Sequence, residues 1–537
     1  MKSSSSRSPA WAFGALLGAV TSLPLMALLF LGQQVAGLPF VPYDLFGWIA
    51  RVLPGGLVTL FIDSLVSVIR GLQLGETSGV AKSIEQLLAL ATFLIGGAII
   101  GAAIALLRQR SSWSGQRIGA SVGAIVFLLT LAVELSSGLS SYLAAFWLAL
   151  LLVGWGTLLG AGLEGPRLVS AGVSPPAGRR AFLLQIAGGS LGVALAAWGV
   201  GYLLEQRQEA SGASQPLPQP VSTAPPAVAT VVAAGPTPTA APTPSEPAPG
   251  TRPAVTSNDK FYRIDINLGV PAIQESAWEL QVLGLFDRPR PLKLSDLMAY
   301  PQVTQPVTLS CISNPVGGDL IGNARWTGLR LRDLLEDLGL KPEAKQLRIV
   351  AGDGFYETVE MADLMDPRTL LVYGMNGVSL PAEHGFPLRI LIPNRYGMKQ
   401  PKWIASITAI EGEGSGYWVD RGWSKEARPQ IVSVIDVIAR DQAAEGRVPV
   451  GGIAWAGDRG IAKVEMQIDG GAWEPALLLP PLGPLTWVQW RYDWPASPGR
   501  HSLRVRAIDG TGALQIEQST GAHPDGATGY HSVTTGI

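Results

Sequence analysis

Five apolar runs, near residues 11–32, 85–107, 118–135, 141–163 and 182–204, constrain this chain more than any other feature. An α-helix needs about 17 to 25 such residues to cross roughly 30 Å of hydrocarbon, and each run is close to that length. They make residues 1–207 an α-helical membrane domain of five spans. The first run is too long for a signal-peptide core and more runs follow it, so it reads as a span and not as a cleaved leader.

The basic residues orient this domain. With five spans, Lys2 and Arg7, then Arg108, Arg110 and Arg117, then Arg167, Arg179 and Arg180 share one side, which the positive-inside rule makes cytoplasmic. Arg51, Arg70 and Lys82 occupy one long loop on the other side, and the odd number of spans carries everything after residue 207 out of the cytoplasm. The stretch 43–70, YDLFGWIARVLPGGLVTLFIDSLVSVIRG, is broken by Pro54, Gly55 and Gly56 and interrupted by Asp63. It reads as interfacial or re-entrant helices, a further full span being the competing reading.

Residues 208–256 form a Pro-rich linker that cannot build a core; polyproline II geometry makes it a semi-rigid tether. From 257 to 428 short β-like runs (WELQVLGL, VTLSC, QLRIVAG, FYETVEM, LRILIP, WIASITAIEG) alternate with brief helical patterns. Leu331, Leu334, Leu335 and Leu338 recur at i, i+3, i+4 and i+7 and predict a helix laid against a sheet, hence an α+β domain. From 429 to 537 the pattern is all-β. Leu503, Val505 and Ala507 alternate with Arg504 and Arg506, and Asp469-Gly470 marks a hairpin turn, as in an immunoglobulin-like sandwich.

Charge says what the protein does not bind. Lys and Arg number 40 against 41 Asp and Glu, so no basic field draws nucleic acid. The single cysteine, Cys311, excludes an intrachain disulfide, a structural Cys zinc site, a thiolate-held iron–sulfur cluster and c-type haem attachment. All four histidines, His384, His501, His523 and His531, lie beyond the membrane runs, which therefore hold no bis-histidine haem.

A lone cysteine is ordinarily a small buried hydrophobe. Outside the cytoplasm, however, an unpaired thiol must be deeply buried or held as a metal thiolate. Cys311 is followed by SNPVGGDLIGN, a polar and glycine-rich segment of the kind that lets backbone approach a ligand. A second block, AEHGFPLRILIPNRYGMKQPKW, gathers His384, Arg389, Arg395, Lys399 and Lys402. It reads either as an anion or phosphate site or as solvated surface charge.

The segments SCISNPVGGDLIGNARWTGLRLRDLL and EHGFPLR with PKW resemble the sulfite oxidase family of molybdopterin oxidoreductases, from FYRID at 261 to Lys402, and the tail from 429 resembles that family's Ig-like dimerisation domain. The resemblance implies a molybdenum-molybdopterin cofactor with Cys311 as the protein's thiolate ligand to the metal, a soft donor suited to it. It implies that Arg263, Asn314, Asp353, His384, Arg389, Gln400 and Lys402 contact the pterin and its phosphate, with Arg395 and Lys399 near by sequence. Cys311, Arg263 and Tyr417 become the catalytic candidates, Trp423 being the alternative to Tyr417 by spacing. Val316 stands where sulfite-oxidising members place an arginine, which leaves Arg263 or an inward-pointing Arg395 to bind an anion.

The function these expectations describe is a membrane-anchored, extracytoplasmic oxygen-atom-transfer enzyme acting on a small oxyanion or S-oxide. No haem is expected in the chain, so electrons pass to a separate protein such as a cytochrome, or to a quinone, and the tail supports a homodimer. Two alternatives stand beside it: an S- or N-oxide reductase on the same centre, and a non-enzymatic cell-surface binding module.

Overall fold

The structure is a computed structural model that describes residues 10–72, 74–136, 141–164, 179–211, 246–271, 273–444 and 446–537. Most of the Pro-rich linker and the basic residues Lys2, Arg7 and Arg167 lie outside the described residues. The chain divides into two compact units: residues 1–58, 80–213 and 265–272 in one, and 59–79, 214–264 and 273–537 in the other.

The helices run in the order α1 (Ala10–Ala36), α2 (Val41–Val52), α3 (Gly55–Gly71), α4 (Thr77–Arg110), α5 (Gly115–Ser136), α6 (Tyr142–Gly162) and α7 (Arg179–Ser211). Among the described residues, α1, α4, α5, α6 and residues Ala187–Leu204 of α7 are long and apolar enough to cross a membrane, matching the five predicted runs. The 43–70 stretch is two shorter helices, α2 and α3, parted at Pro54.

Large apolar side chains point out of this unit, among them Leu87, Ile95 and Ile99 of α4 and Leu128 and Leu129 of α5. The helices meet instead through glycines spaced four apart. Gly14 and Gly18 of α1 lie against Gly101 and Gly97 of α4, and Gly115 and Gly119 of α5 lie against Gly160 and Gly156 of α6, with no room for a Cβ. In lipid no hydrophobic force drives helices together, so close backbone packing must do so. Across α1 and α6 the Trp155 indole N–H donates to Thr21 Oγ1 at 3.0 Å. Gly119→Leu is expected to force α5 and α6 apart at a cost of roughly 1–3 kcal/mol, whereas Gly154→Leu, at a glycine with open space around it, should leave the thermal melt of the detergent-solubilised chain unchanged.

In the other unit the strands are β1 (Gln281–Gly284), β2 (Val303–Ser310), β3 (Ile321–Arg330), β4 (Gln346–Ala351), β5 (Tyr356–Glu360), β6 (Leu370–Met375), β7 (Val378–Ser379), β8 (Arg389–Leu391) and β9 (Ile404–Ile410). They form one sheet in the order β1-β9-β4-β5 and a second in the order β2-β3-β6-β7, with β8 also on β6. The helix Leu331–Asp337 continues β3, and Leu331, Leu334 and Leu335 are fully buried in the shared core with Leu347, Ile349 and Ile407. The leucine periodicity therefore marks a real helix.

Strands β3 and β6 are not among the predicted runs. Apart from Arg325 and Arg330, every residue of β3 is buried, and so is every residue of β6. The alternation that marks a half-exposed strand is absent when both faces are covered.

The remaining strands, β10 (Val432–Ile438), β11 (Val448–Trp455), β12 (Ile461–Ile468), β13 (Trp473–Pro475), β14 (Leu477–Leu478), β15 (Val488–Trp494), β16 (Arg500–Asp509) and β17 (His531–Gly536), form two antiparallel sheets, β10-β11-β15-β14 and β13-β12-β16-β17. Both sheets feed one core of Val448, Val450, Trp490, Val464, Met466, Leu503 and Val505. Asp469 and Gly470 have φ of 49° and 72°, and the Gly471 N–H bonds Ile468 O at 2.8 Å, which closes the predicted hairpin turn. A further cluster joins Ile312, Tyr396 and Met398 to Trp423, Val434, Ile453, Trp455 and Trp487.

Candidate active site

Cys311 is the first residue past the β2–β3 ladder. Ser310 pairs with Ile321, and the Cys311 N–H then bonds Leu320 O at 2.9 Å, so the thiol is fixed by a sheet and not by a loose loop. The intervening loop is tied back on itself: the Asn314 N–H donates to Cys311 O at 3.1 Å, and Asn314 Oδ1 accepts from the Leu320 N–H at 3.0 Å. Burial pushes the Cys311 thiol up, opposed by the Ser313 hydroxyl 3.0 Å from Sγ. The sulfur is therefore a neutral thiol unless a cation holds it as thiolate.

The segment Phe261–Arg263 lies beside it. Burial, and next the neighbouring Cys311, push the Tyr262 hydroxyl far above its ordinary range, with Arg389 opposing. Phe261 stacks on Tyr262 at 5.4 Å and meets His384 and Trp326 edge-on at 5.5 Å each. Arg389 lies over the Trp326 ring at 4.9 Å and donates to His384 O at 3.1 Å. Gly385, at φ 116°, lies between Arg389 and Lys402, whose Cβ atoms are close enough that an added side chain would have to press them apart, and Lys402 Nζ donates to Glu383 O at 3.0 Å. Cys311, Tyr262, His384, Arg389 and Lys402 are thereby brought together.

His384 is buried with Nε2 2.8 Å from Asn258 O, an acceptor, so Nε2 carries the proton and Nδ1 a lone pair. Burial lowers it to about 4, helped by Lys402 and Arg389 and opposed by the Asn258 hydrogen bond and Glu383. A His whose folded pKa is depressed stabilises the fold fully above its unfolded value and progressively less as pH falls. Stability is thus expected to drop between about pH 6.5 and 4, and His384→Gln should remove part of that slope in melts across this range.

Other candidates join through backbone. Gln400 accepts from the Ile392 N–H at 3.2 Å and donates to Arg395 O at 2.9 Å, which locks the segment carrying Lys402. Asp353 caps its own turn by accepting from the Phe355 N–H at 3.0 Å, and the Gly352 N–H bonds Trp403 O at 2.8 Å, which sets that turn beside Lys402. Phe355 lies 5.7 Å from the Tyr417 ring, which also carries the Arg421 guanidinium at 3.6 Å. Trp423 packs in the cluster with Ile312 and Tyr396 and meets His523 at 5.0 Å.

Two cations of the second block have other partners. Arg395 is not an inward-pointing substitute for an arginine at 316: its fork grips Asp363, with Nη2 2.7 Å from Oδ2. Lys399 pairs with buried Glu357 at 2.8 Å. Val316 itself packs against the apolar cluster around Ile312. Sequence reasoning missed Tyr262 and Tyr396 as site residues; burial pushes Tyr396 to about 12, and Cys311 adds to the shift. Tyr262 sits inside FYRID, where Arg263 drew attention, and nothing in the spacing singles out Tyr396.

The donor set suits a molybdopterin. A soft sulfur suits the metal, a neutral imidazole and amides suit a hydrogen-bonding heterocycle, and Arg389 and Lys402 suit a phosphate. Among the described residues no cluster of three His, Cys, Asp or Glu side chains offers an alternative metal site.

Comparison with known proteins agrees. Residues 267–418 match the oxidoreductase molybdopterin binding domain. The chain is 31% identical over 273 residues to a sulfite oxidase of Arabidopsis thaliana, covering 40% of this chain and 68% of that protein. It is 26% identical over 319 residues to the mitochondrial sulfite oxidase of Drosophila melanogaster, covering 49% of this chain and 55% of that protein. It is also 30% identical over 155 residues to a putative protein-methionine-sulfoxide reductase subunit of Azospira oryzae, covering 29% of this chain and 57% of that one. The matched region thus spans between about half and two thirds of these relatives. With its thiol set at the end of a sheet beside a buried histidine and two cations, the chain belongs to the sulfite oxidase family of molybdopterin-dependent oxidoreductases.

Proposed function

We propose that the chain is a membrane-anchored oxidoreductase whose catalytic domain lies outside the cytoplasm, and that it transfers an oxygen atom to or from a small oxyanion or S-oxide. The observation that carries this reading is the single thiol fixed at the β2 terminus beside Tyr262 and the His384–Arg389 pair. When bound, the molybdenum cofactor supplies two-electron oxygen-atom transfer. Cys311 would hold the metal as thiolate. With Nε2–H held on Asn258 O, His384 would offer Nδ1 as an acceptor to the pterin, and Asn314, Asp353 and Gln400 fix the segments around it. Arg389 and Lys402 would neutralise its phosphate, and Arg263 and Tyr417 would orient the substrate.

Two observations favour the reductive direction as a second reading. Val316 puts an apolar side chain where sulfite-oxidising members carry a cation, and Arg395 is engaged by Asp363. A neutral sulfoxide needs less positive charge than sulfite. The relative named as a methionine-sulfoxide reductase subunit is consistent with that preference. Electrons exchange with a separate carrier such as a cytochrome. The two-sheet sandwich at the C-terminal end serves as an Ig-like module for a homodimer, and Arg108, Arg110 and Arg117 mark the cytoplasmic side.

The test uses the full chain solubilised in detergent after expression with the cofactor supplied. Bound molybdenum and pterin are quantified, then sulfite-dependent reduction of an artificial acceptor is compared with reductant-driven loss of methionine sulfoxide. A folded protein without molybdenum sinks both readings. Activity in only one assay decides between them.

A further inference from the structure

Glu357 is the second residue of β5 and has no solvent exposure, and its Oε1 accepts from Lys399 Nζ at 2.8 Å and from the Thr358 N–H at 2.9 Å. Glu357 Oε2 is buried without a hydrogen-bond partner. Such a pair is a poor way to stabilise a fold, because well-packed apolar side chains of the same volume commonly do as well or better. Its placement gives it another use.

Three successive residues of β5 grip three successive residues of the segment that ends in Tyr417. The Thr358 hydroxyl donates to Ser415 O at 2.9 Å. The Glu357 carboxylate lies flat against Gly416, where any Cβ would overlap both of its oxygens. Tyr356 O accepts the Tyr417 N–H at 2.9 Å. At the far end of the pair, Lys399 closes the turn Gly397–Lys399, in which Gly397 lies against the Tyr262 hydroxyl and which leads directly into Gln400 and Lys402.

We propose that the Glu357–Lys399 ion pair is a positioning device that locks residues 415–417, and with them Tyr417, in register with the segment carrying Gln400 and Lys402. The proposal rests on the reading of Tyr417 as a substrate-orienting residue, and Glu357 and Lys399 act through it without touching the reacting atoms. With the ammonium in place, Gly416 seats on a carboxylate of fixed charge and orientation. Without it, a buried carboxylate must either take up a proton or draw in water, and either response moves Gly416.

The charged groups facing Glu357 are Lys399 and, from the 3-10 turn Val419–Arg421, Asp420; strand β4 presents Ile349 in register with it. Burial pushes the Glu357 carboxyl up and Lys399 opposes that push. Removing Lys399 leaves burial and Asp420 pushing the carboxyl up against the Thr358 N–H alone, so the unpaired carboxyl is neutral at low pH and charged at high pH.

The test uses the full, cofactor-supplied chain with Lys399→Met, Lys399→Arg and the double variant Lys399→Met/Glu357→Gln. In Lys399→Met, hydrogen exchange at the Tyr417 amide is expected to quicken roughly tenfold, and more at high pH than at low pH. In the same variant the KM for whichever substrate the wild type turns over should rise roughly tenfold with kcat little changed. The double variant and Lys399→Arg should return both readouts to within about threefold of wild type. Wild-type exchange in Lys399→Met, or a double variant no better than the single one, overturns the proposal. Exchange reports on the lock whether or not molybdenum is bound. Faster exchange with an unchanged KM would retain the lock and remove Tyr417 from substrate orientation.

Discussion

Replacing Cys311 with serine is expected to reduce turnover to background while leaving pterin bound. The substitution keeps the shape of the side chain and the Cys311 backbone bond to Leu320 O, so the sheet end that presents it is undisturbed. What changes is the donor. A serine hydroxyl stays protonated at working pH and is a hard, weak ligand, whereas a thiol is readily held as thiolate by a soft metal. His384, Arg389 and Lys402 lie on other segments and remain in place, where they would grip pterin and phosphate. Metal and pterin content per chain, measured beside turnover with an artificial acceptor, separates loss of the ligand from loss of the cofactor. Wild-type turnover in Cys311→Ser would refute the assignment of the thiolate.

Trp326→Ala should damage the fold severely. Trp326 is fully buried in β3, its indole N–H donates to Val307 O at 3.2 Å, Phe261 meets its ring edge-on at 5.5 Å, and Arg389 lies over it at 4.9 Å. Removing the ring opens a cavity worth about 3–5 kcal/mol, a large part of the roughly 5–15 kcal/mol that holds a typical domain folded. It also removes the surface on which Arg389 rests, so pterin content should fall along with the melting temperature. A variant that melts like wild type and loads normally would show that the ring is dispensable to both.

The two substitutions touch parts of the molecule that differ in how legible they are in the sequence. Cys311 stands out because it is alone and because polar, glycine-rich residues follow it, and in the structure it is half-buried at the end of the β2–β3 ladder. Trp326 does not stand out, because it lies in β3, whose faces are both covered and whose pattern therefore lacks alternation. The same loss of contrast hides β6, LLVYGM. Helix Leu331–Asp337 and the β12–β13 turn at Asp469-Gly470 are legible because each is specified locally, by a leucine stripe and by two residues in left-handed conformation.

Charges follow another rule. The block from His384 to Lys402 reads as a uniform cationic patch, yet its members divide according to partners brought by the fold. Arg395 is claimed by Asp363, 32 residues away, and Lys399 by Glu357, 42 residues away, while Arg389 and Lys402 donate to main-chain carbonyls. Nothing in the spacing of the block announces which cations those carboxylates will take. Tyr262 and Tyr396 escape notice for a related reason: nothing in their spacing marks them, and only the folded chain brings their hydroxyl groups near the thiol.

The cluster joining Ile312, the residue after the thiol, to Val434, Ile453 and Trp455 of the sandwich has an evolutionary and practical corollary. The Tyr396 hydroxyl accepts the Gln430 N–H at 3.0 Å across the same boundary. A chimera that grafts this sandwich onto another relative, or a truncation at residue 429, would strip the wall behind Ile312 and wet the neighbourhood of Cys311. The two parts share this core, so sequence drift in the sandwich is expected to be felt beside Cys311 although none of its side chains need ever meet the substrate.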